Sequence, residues 1–172
     1  MRMAKALGGL LAVTAMICFA ARSPAGELPI KLQVALLKKI VAYDTSLDGK
    51  ALKVLVVGEP GEASNLMQAF EAAGVSASQV APANLPRAAD AGTVVFLLSA
   101  QVPVGLRDLC VGSQLLSAAP GVALAEAGEV SVGLGEKPDG RPEIVIHRSR
   151  CRDEGHQFRA SLLSLARLVS SP

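Results

Sequence analysis

LKVLVVGEPGEASNLMQAFEAAG, residues 52–74, decides the fold class. LKVLVVG is apolar on both faces and short, so it reads as a fully buried strand. PGEASNLMQAFEAAG then places Leu66, Ala69 and Phe70 at helical spacing and stops at Gly74. Downstream, a weak strand surrounds Val80, and TVVFLLS (residues 93–99) is a second strand of the buried kind. VGLRDLCVGSQLL supplies a helical stretch around Cys110, interrupted by Gly112. GVALAEAG, EVSVGLGEK and PEIVIHR follow as strands, the last two joined by the hairpin-type turn Pro138-Asp139-Gly140. A final helix is expected from Gln157 to Ser170, with Phe158, Leu162, Leu165, Ala166 and Val169 as its inward stripe. Upstream, Ile30 to Tyr43 sets Leu32, Leu36, Ile40 and Tyr43 along one helical face, ended by Asp44-Thr45-Ser46. Strands apolar on both faces need helices on both sides. The pattern therefore predicts an α/β three-layer sandwich with a mostly parallel central sheet, a late β-hairpin and a C-terminal helix.

The beginning of the chain carries a different signal. MRMAKALGGLLAVTAMICFAARSPAG has Arg2 and Lys5 ahead of an apolar run from Ala6 to Ala21, then Ser23-Pro24-Ala25 with small residues where a signal peptidase reads. The run is shorter than the ~20 residues of a spanning helix. The expectation is a secretory signal peptide over residues 1–25, a chain exported from Gly26 onward, and one domain over residues 26–172 that does not span the membrane. Met16 and Ile17 stand where a lipoprotein signal needs small residues, so Cys18 leaves with the peptide. Cleavage removes Arg2, Lys5 and Arg22 and leaves 14 basic against 15 acidic side chains. No positive field then draws in nucleic acid, and 3% aromatics without Trp provide no stacking platform for bases. Cys110 and Cys151 remain. In an oxidising compartment an even pair reads as one disulfide.

Sites of chemistry are sparse. LVVGEPGEASNL has the strand, glycine turn and helix order of a phosphate loop but neither GxGxxG nor GxxxxGK[ST], and Glu59 and Glu62 stand where phosphates would sit. There is no GxSxG elbow, and the only histidines are His147 and His156, so no enzyme is expected. Both lie in IVIHRSRCRDEGHQFRASLLSLARLV, residues 144–169. A metal held by His147, Cys151, Asp153, Glu154 or His156 is disfavoured by the intervening arginines and by a spacing unlike known ligand sets, so neither metal nor cofactor is expected. Arg148, Arg150 and Arg152 suit an anion, because guanidinium groups match carboxylate and phosphate. A solvated turn of mixed charge, its arginines exposed and Cys151 tied to Cys110, is the plainer reading.

The chain resembles the YfiR-like family, exported bacterial proteins typified by the periplasmic repressor of a membrane diguanylate cyclase. The resemblance rests on KLQVALLKKIVAYD ahead of a strand ending in glycine, on PGVALAEAGEVSVGLGEK, and on the closing stretch, where Ser161, Leu162, Leu163, Leu165 and Ala166 match an S-x-LL-x-LA pattern. It covers nearly all of residues 30–170. Tyr43-Asp44-Thr45 replaces the family's Trp-Pro-like corner, and His147 stands where an Asn is usual. The resemblance implies an α/β fold, a periplasmic location, homodimerisation, and control of a membrane-protein partner in cyclic-di-GMP signalling by contact rather than catalysis.

Two functions remain open. One is this regulatory module, with an interface including Leu163 and Leu168 and a polar rim of Arg159 and Arg167. The other is a small-molecule binder or sensor with a pocket at the carboxyl ends of the parallel strands, formed by Gly58, Glu59, Pro60, Ser99, Ala100 and Gln101.

Overall fold

The structure is a computed structural model that describes residues 28–89 and 93–170. The expected signal peptide, its cleavage point, Cys18 and Gly26 lie outside the described residues. Seven strands form one sheet: β1 (Lys53–Val57), β2 (Ser76–Val80), β3 (Thr93–Leu97), β4 (Leu116–Pro120), β5 (Val132–Glu136), β6 (Pro142–His147) and β7 (Arg167–Val169). Their order is β2-β1-β3-β4-β5-β6-β7. The first five run parallel, β6 is antiparallel to β5, and β7 is parallel to β6. The helices are α1 (Ile30–Ala42), α2 (Pro60–Ala72), α3 (Leu85–Ala88), α4 (Leu106–Ser113), α5 (Ala123–Glu126), α6 (Arg148–Asp153) and α7 (Ala160–Leu163).

Alternation along each strand sends side chains to two cores. Val54, Val56, Val94 and Phe96 point toward α1 and α2, where they meet Leu37, Ile40, Leu66 and Phe70. The rings of Phe70 and Phe96 pack edge to face, centroids 6.3 Å apart. Leu55, Val57, Val95 and Leu97 point the other way, toward Leu85, Leu106, Cys110 and Ala125 of α3, α4 and α5. Each buried side chain of this size contributes about 1.5–3 kcal/mol. That accounts for strands apolar on both faces, and the three-layer α/β expectation stands.

The order of the strands matters more than their number. From β1 the chain crosses by α2, on one face, to β2; it then returns past β1 by α3, on the other face, to β3. The path reverses between β1 and β3, so the connections leaving those neighbours diverge to opposite faces. A crevice at the carboxyl ends of two such strands follows from the topology.

Three expectations are corrected. GVALAEAG is not a strand: the strand is Leu116–Pro120, ended by Gly121 at φ 76°, and Ala123–Glu126 is a helical turn. The small residues of LSAAP fit a position buried on both faces, and alanine-rich ALAE favours helix. The chain does not close on a helix over residues 157–170. After the single turn of α7 it extends into β7 beside β6, giving that strand's backbone groups a partner and leaving Leu165 two-thirds exposed. On α1 the buried residues are Gln33, Val34, Leu37 and Ile40, with Leu32, Leu36 and Tyr43 at the margins. The stripe is rotated because Gln33 turns inward, its Nε2 donating to the Leu28 carbonyl at 2.6 Å.

These assignments separate two leucines that a terminal helix would treat alike. Leu162→Ala is expected to lower unfolding free energy in urea by about 2–5 kcal/mol. Leu165→Ala is expected to change it by no more than about 0.5 kcal/mol. Equal losses would restore the helical stripe.

Candidate functional site

The carboxyl ends of β1 and β3 open onto a cleft of about 580 Å³. Leu98 N donates to Val57 O at 2.8 Å, so the two chains stay paired just past their strands. Gly58 allows this approach, since a Cβ there would stand 2.8 Å from the Leu98 Cβ. Beyond it, β1 turns into α2, and β3 passes through residues 98–105 into α4. Of the six residues expected at a pocket, Gly58, Glu59, Ser99, Ala100 and Gln101 line the cleft. Pro60 does not; it opens α2, where its missing N–H costs nothing. Ser99 Oγ accepts from Gln101 N at 3.0 Å and shapes the loop, while Gln79 Nε2 donates to the Gly58 carbonyl at 3.3 Å.

Sequence reasoning missed the apolar side of this cleft. Val57, Leu97 and Leu98 lie at its base, and Val102, Pro103 and a fully exposed Val104 form one wall. The readable signal was Val102-Pro103-Val104, an apolar run placed directly after a buried strand. Glu62 also faces the space, so its charged lining residues are Glu59 and Glu62, with no Lys, Arg or His among them. Two carboxylates at the start of α2 already complement the helix dipole. The cleft therefore repels anions and suits an apolar body bearing a neutral or cationic polar group.

The opposite end of the sheet is closed by a buried polar network. His147, at the end of β6, caps α6: its Nδ1 accepts from Arg150 N at 3.1 Å. This turns Arg150 inward, where Nε donates to Glu154 Oε1 at 2.8 Å, both side chains at most 2% exposed. Glu154 also accepts from Ser117 Oγ (2.6 Å), Ser117 N (3.0 Å) and Ser131 Oγ (2.5 Å). Ser131 N in turn donates to Ser117 Oγ at 2.8 Å. One carboxylate thus joins α6 to β4 and to the entry of β5. A buried carboxylate is tolerated when its oxygens are bonded, as both of Glu154's are, and losing one partner costs about 3–5 kcal/mol.

A second pair lies beside it. His156 Nδ1 donates to Asp44 Oδ2 at 2.6 Å, and Asp44 Oδ1 accepts from Ser46 N and Ser46 Oγ. Burial pushes the Asp44 carboxyl up, but the bonds from His156 and Ser46 outweigh it and hold the group below its ordinary value. The pair fastens the end of α1 to the segment after α6, where Arg159 N also donates to Tyr43 O at 2.9 Å. Among the described residues, no group of three or more His, Cys, Asp or Glu converges on a metal position.

The stretch from 144 to 169 is therefore not a solvated turn pinned by a disulfide. Arg150 is 1% exposed, and Cys110 and Cys151 are both free and buried. Cys110 lies beside Arg150 and Glu154 in the core under α4, while Cys151 sits in the core on the α1 and α2 side, its Sγ 3.6 Å from the Ser131 carbonyl. Thiols in separate cores cannot meet the geometry of a disulfide. Burial, with the Glu154 charge nearby, pushes each thiol up to about 12. The four expected interface residues fall on two elements, Arg159 and Leu163 at α7 and Arg167 and Leu168 on β7. Arg159 pairs with Asp48, Arg167 pairs with Glu126 and Glu143, Leu163 packs half-buried on the first core, and Leu168 stands on β7.

Comparison with known proteins adds the fold and nothing finer. No family model and no curated protein matches the chain. Among solved structures it is similar to a conserved domain protein from Vibrio cholerae, with TM-score 0.58 and 15% identity over 83% of this chain. It is also similar to an ABC domain from Streptococcus pneumoniae in complex with L-Trp, with TM-score 0.55 and 13% identity over 82% of this chain. The chain spans 60% of the length of each of these neighbours. No helix among the described residues is long and apolar enough to cross a membrane.

Thiol titration checks the placement of the cysteines. Unreduced protein over residues 26–172 is expected to resist alkylation while folded and to take up two alkyl groups once denatured, with no reductant added. A denatured, unreduced protein that takes up none would restore the disulfide.

Proposed function

We propose that the chain is an exported binding domain, without turnover of its own, whose cleft between β1 and β3 takes a small amphiphilic molecule bearing a neutral or cationic polar group. One observation carries this reading: the cleft sits where the strand order reverses, and apolar side chains and two carboxylates line it without a basic residue. The ABC-domain neighbour was solved with L-Trp, a zwitterion with an ammonium and a carboxylate on an apolar body, which supports a small amphiphilic ligand. The resemblance to the YfiR-like family supports a periplasmic regulator in which such a ligand would be the signal passed to a membrane protein by contact.

A thermal-shift panel of amino acids, amines and neutral amphiphiles tests the proposal. A ligand at 100 times its Kd is expected to add about 2.7 kcal/mol. Glu59→Gln with Glu62→Gln is expected to weaken a cationic hit about tenfold while sparing a neutral one, because only the former gains from the two charges. No stabilisation by any cationic or neutral compound, or hits insensitive to the double substitution and equally strong for amines and their neutral isosteres, would overturn it.

A further inference from the structure

At the other end of the sheet from the β1–β3 cleft, α6 borders a second cavity of about 420 Å³. The register of β5 and β6 places it there: the end of β6, from which α6 departs, pairs with the beginning of β5, whereas the cleft lies past the finishing ends of β1 and β3. Arg148 and Arg152 both line the cavity, one helical turn apart on α6, so their guanidinium groups leave the helix on the same side. Arg150, between them, is turned to the opposite side and consumed by Glu154.

The charges around Arg148 and Arg152 are already paired elsewhere. Arg107, Arg141, Arg150, Arg159 and Arg167 each hold a carboxylate. Asp153, next to Arg152 in sequence, is held by Arg107 at 2.7 Å; Glu154 is enclosed by Arg150 and two serines; Asp44 is bound to His156. Among the described residues neither Arg148 nor Arg152 has an ion pair, and no carboxylate lines the cavity. The rest of its wall is mixed. Ile146, Phe158 and Leu163 give it an apolar side, and His156, which also lines it, has a buried Nε2 without a hydrogen-bond partner.

We infer that this cavity is an anion site for a small molecule carrying a phosphate or carboxylate group on an apolar body. The oxyanion is gripped by Arg148 and Arg152, and the body lies against Phe158 and Leu163. Guanidinium forks match such oxyanions in geometry as well as charge, and two of them one turn apart can hold a single group from two sides. This also explains the alternation of Arg148, Arg150 and Arg152: the middle residue secures the helix, and the outer two face the ligand. The site is independent of the cleft, whose carboxylates select against the same ligands.

Calorimetric titration of the protein over residues 26–172 in low-salt, phosphate-free buffer tests the inference, with phenyl phosphate and inorganic phosphate as probes. Phenyl phosphate is expected to bind saturably, about tenfold or more tighter than inorganic phosphate, which has no ring to lay on Phe158. Arg148→Gln with Arg152→Gln is expected to abolish both. Both residues are exposed, so the fold should persist, and an unchanged circular dichroism spectrum checks that. Arg87→Gln with Arg141→Gln removes the same net charge from exposed residues that do not line the cavity and is expected to leave binding within about twofold. In the unsubstituted protein, phenyl phosphate should shift the amides of residues 148–163. Absence of saturable binding, equal binding by the Arg148/Arg152 variant, an equal loss in the Arg87/Arg141 variant, or shifts confined to residues 58–62 and 98–104 would each overturn the assignment.

Discussion

Four hydrogen bonds to one carboxylate hold this structure in register. Glu154 accepts from Arg150 Nε, from Ser117 Oγ and N, and from Ser131 Oγ, all within a fully buried space. Bringing a charged pair out of water is expensive, and the attraction between the partners repays it only when every lone pair is used. That condition is met only if α6, β4 and the entry of β5 stand in one arrangement. The short helix α6, six residues long, could not be fixed by its own hydrogen bonds. The network fixes it, and the Asp44–His156 pair extends the same constraint to the end of α1.

The consequence is a molecule with two unlike ends. At the amino-terminal ends of β4 and β5 the Glu154 carboxylate is fully bonded and the backbone is tied by buried side chains, with Arg150 Nη2 and His156 Nε2 left without partners. At the carboxyl ends of β1 and β3 the connections diverge to opposite faces, and the apolar lining of the crevice is left uncovered. Tight packing at one end and an open crevice at the other suit the binding role proposed above. Arg148 and Arg152 qualify the division, since the helix that closes the first end also carries two arginines outward on its far side.

The parts legible in the sequence were those with strong apolar patterning. VLVV and VVFLL reported strands buried on both faces, Pro138-Asp139-Gly140 reported the hairpin, and the helices around Leu66 and Cys110 were evident from spacing. The pocket residues at the ends of β1 and β3 followed from topology alone, without any motif. Weakly patterned parts failed. LSAAP is a central strand built of small residues, and LARLV satisfies both helical and strand periods until the unpaired side of β6 decides between them. The Arg150–Glu154 pair was present as an i, i+4 spacing, but the same spacing is commonest on exposed helices, and the serines that complete it lie 37 and 23 residues away from Glu154. The disulfide expectation came from the compartment, which says what thiols would do if they met and nothing about whether they meet.

Native-state hydrogen exchange bears most directly on the central claim that the buried network around Glu154 closes one end of the sheet and leaves the other available. The amides of Ser117, Ser131 and His147, bonded to Glu154, to the serines or to the Ser131 carbonyl, are predicted to exchange only with global unfolding, while the amides of Gly61, Glu62 and residues 99–102 exchange through local opening. Exchange of Ser117 and Ser131 as rapid as that of the cleft loop would contradict the account.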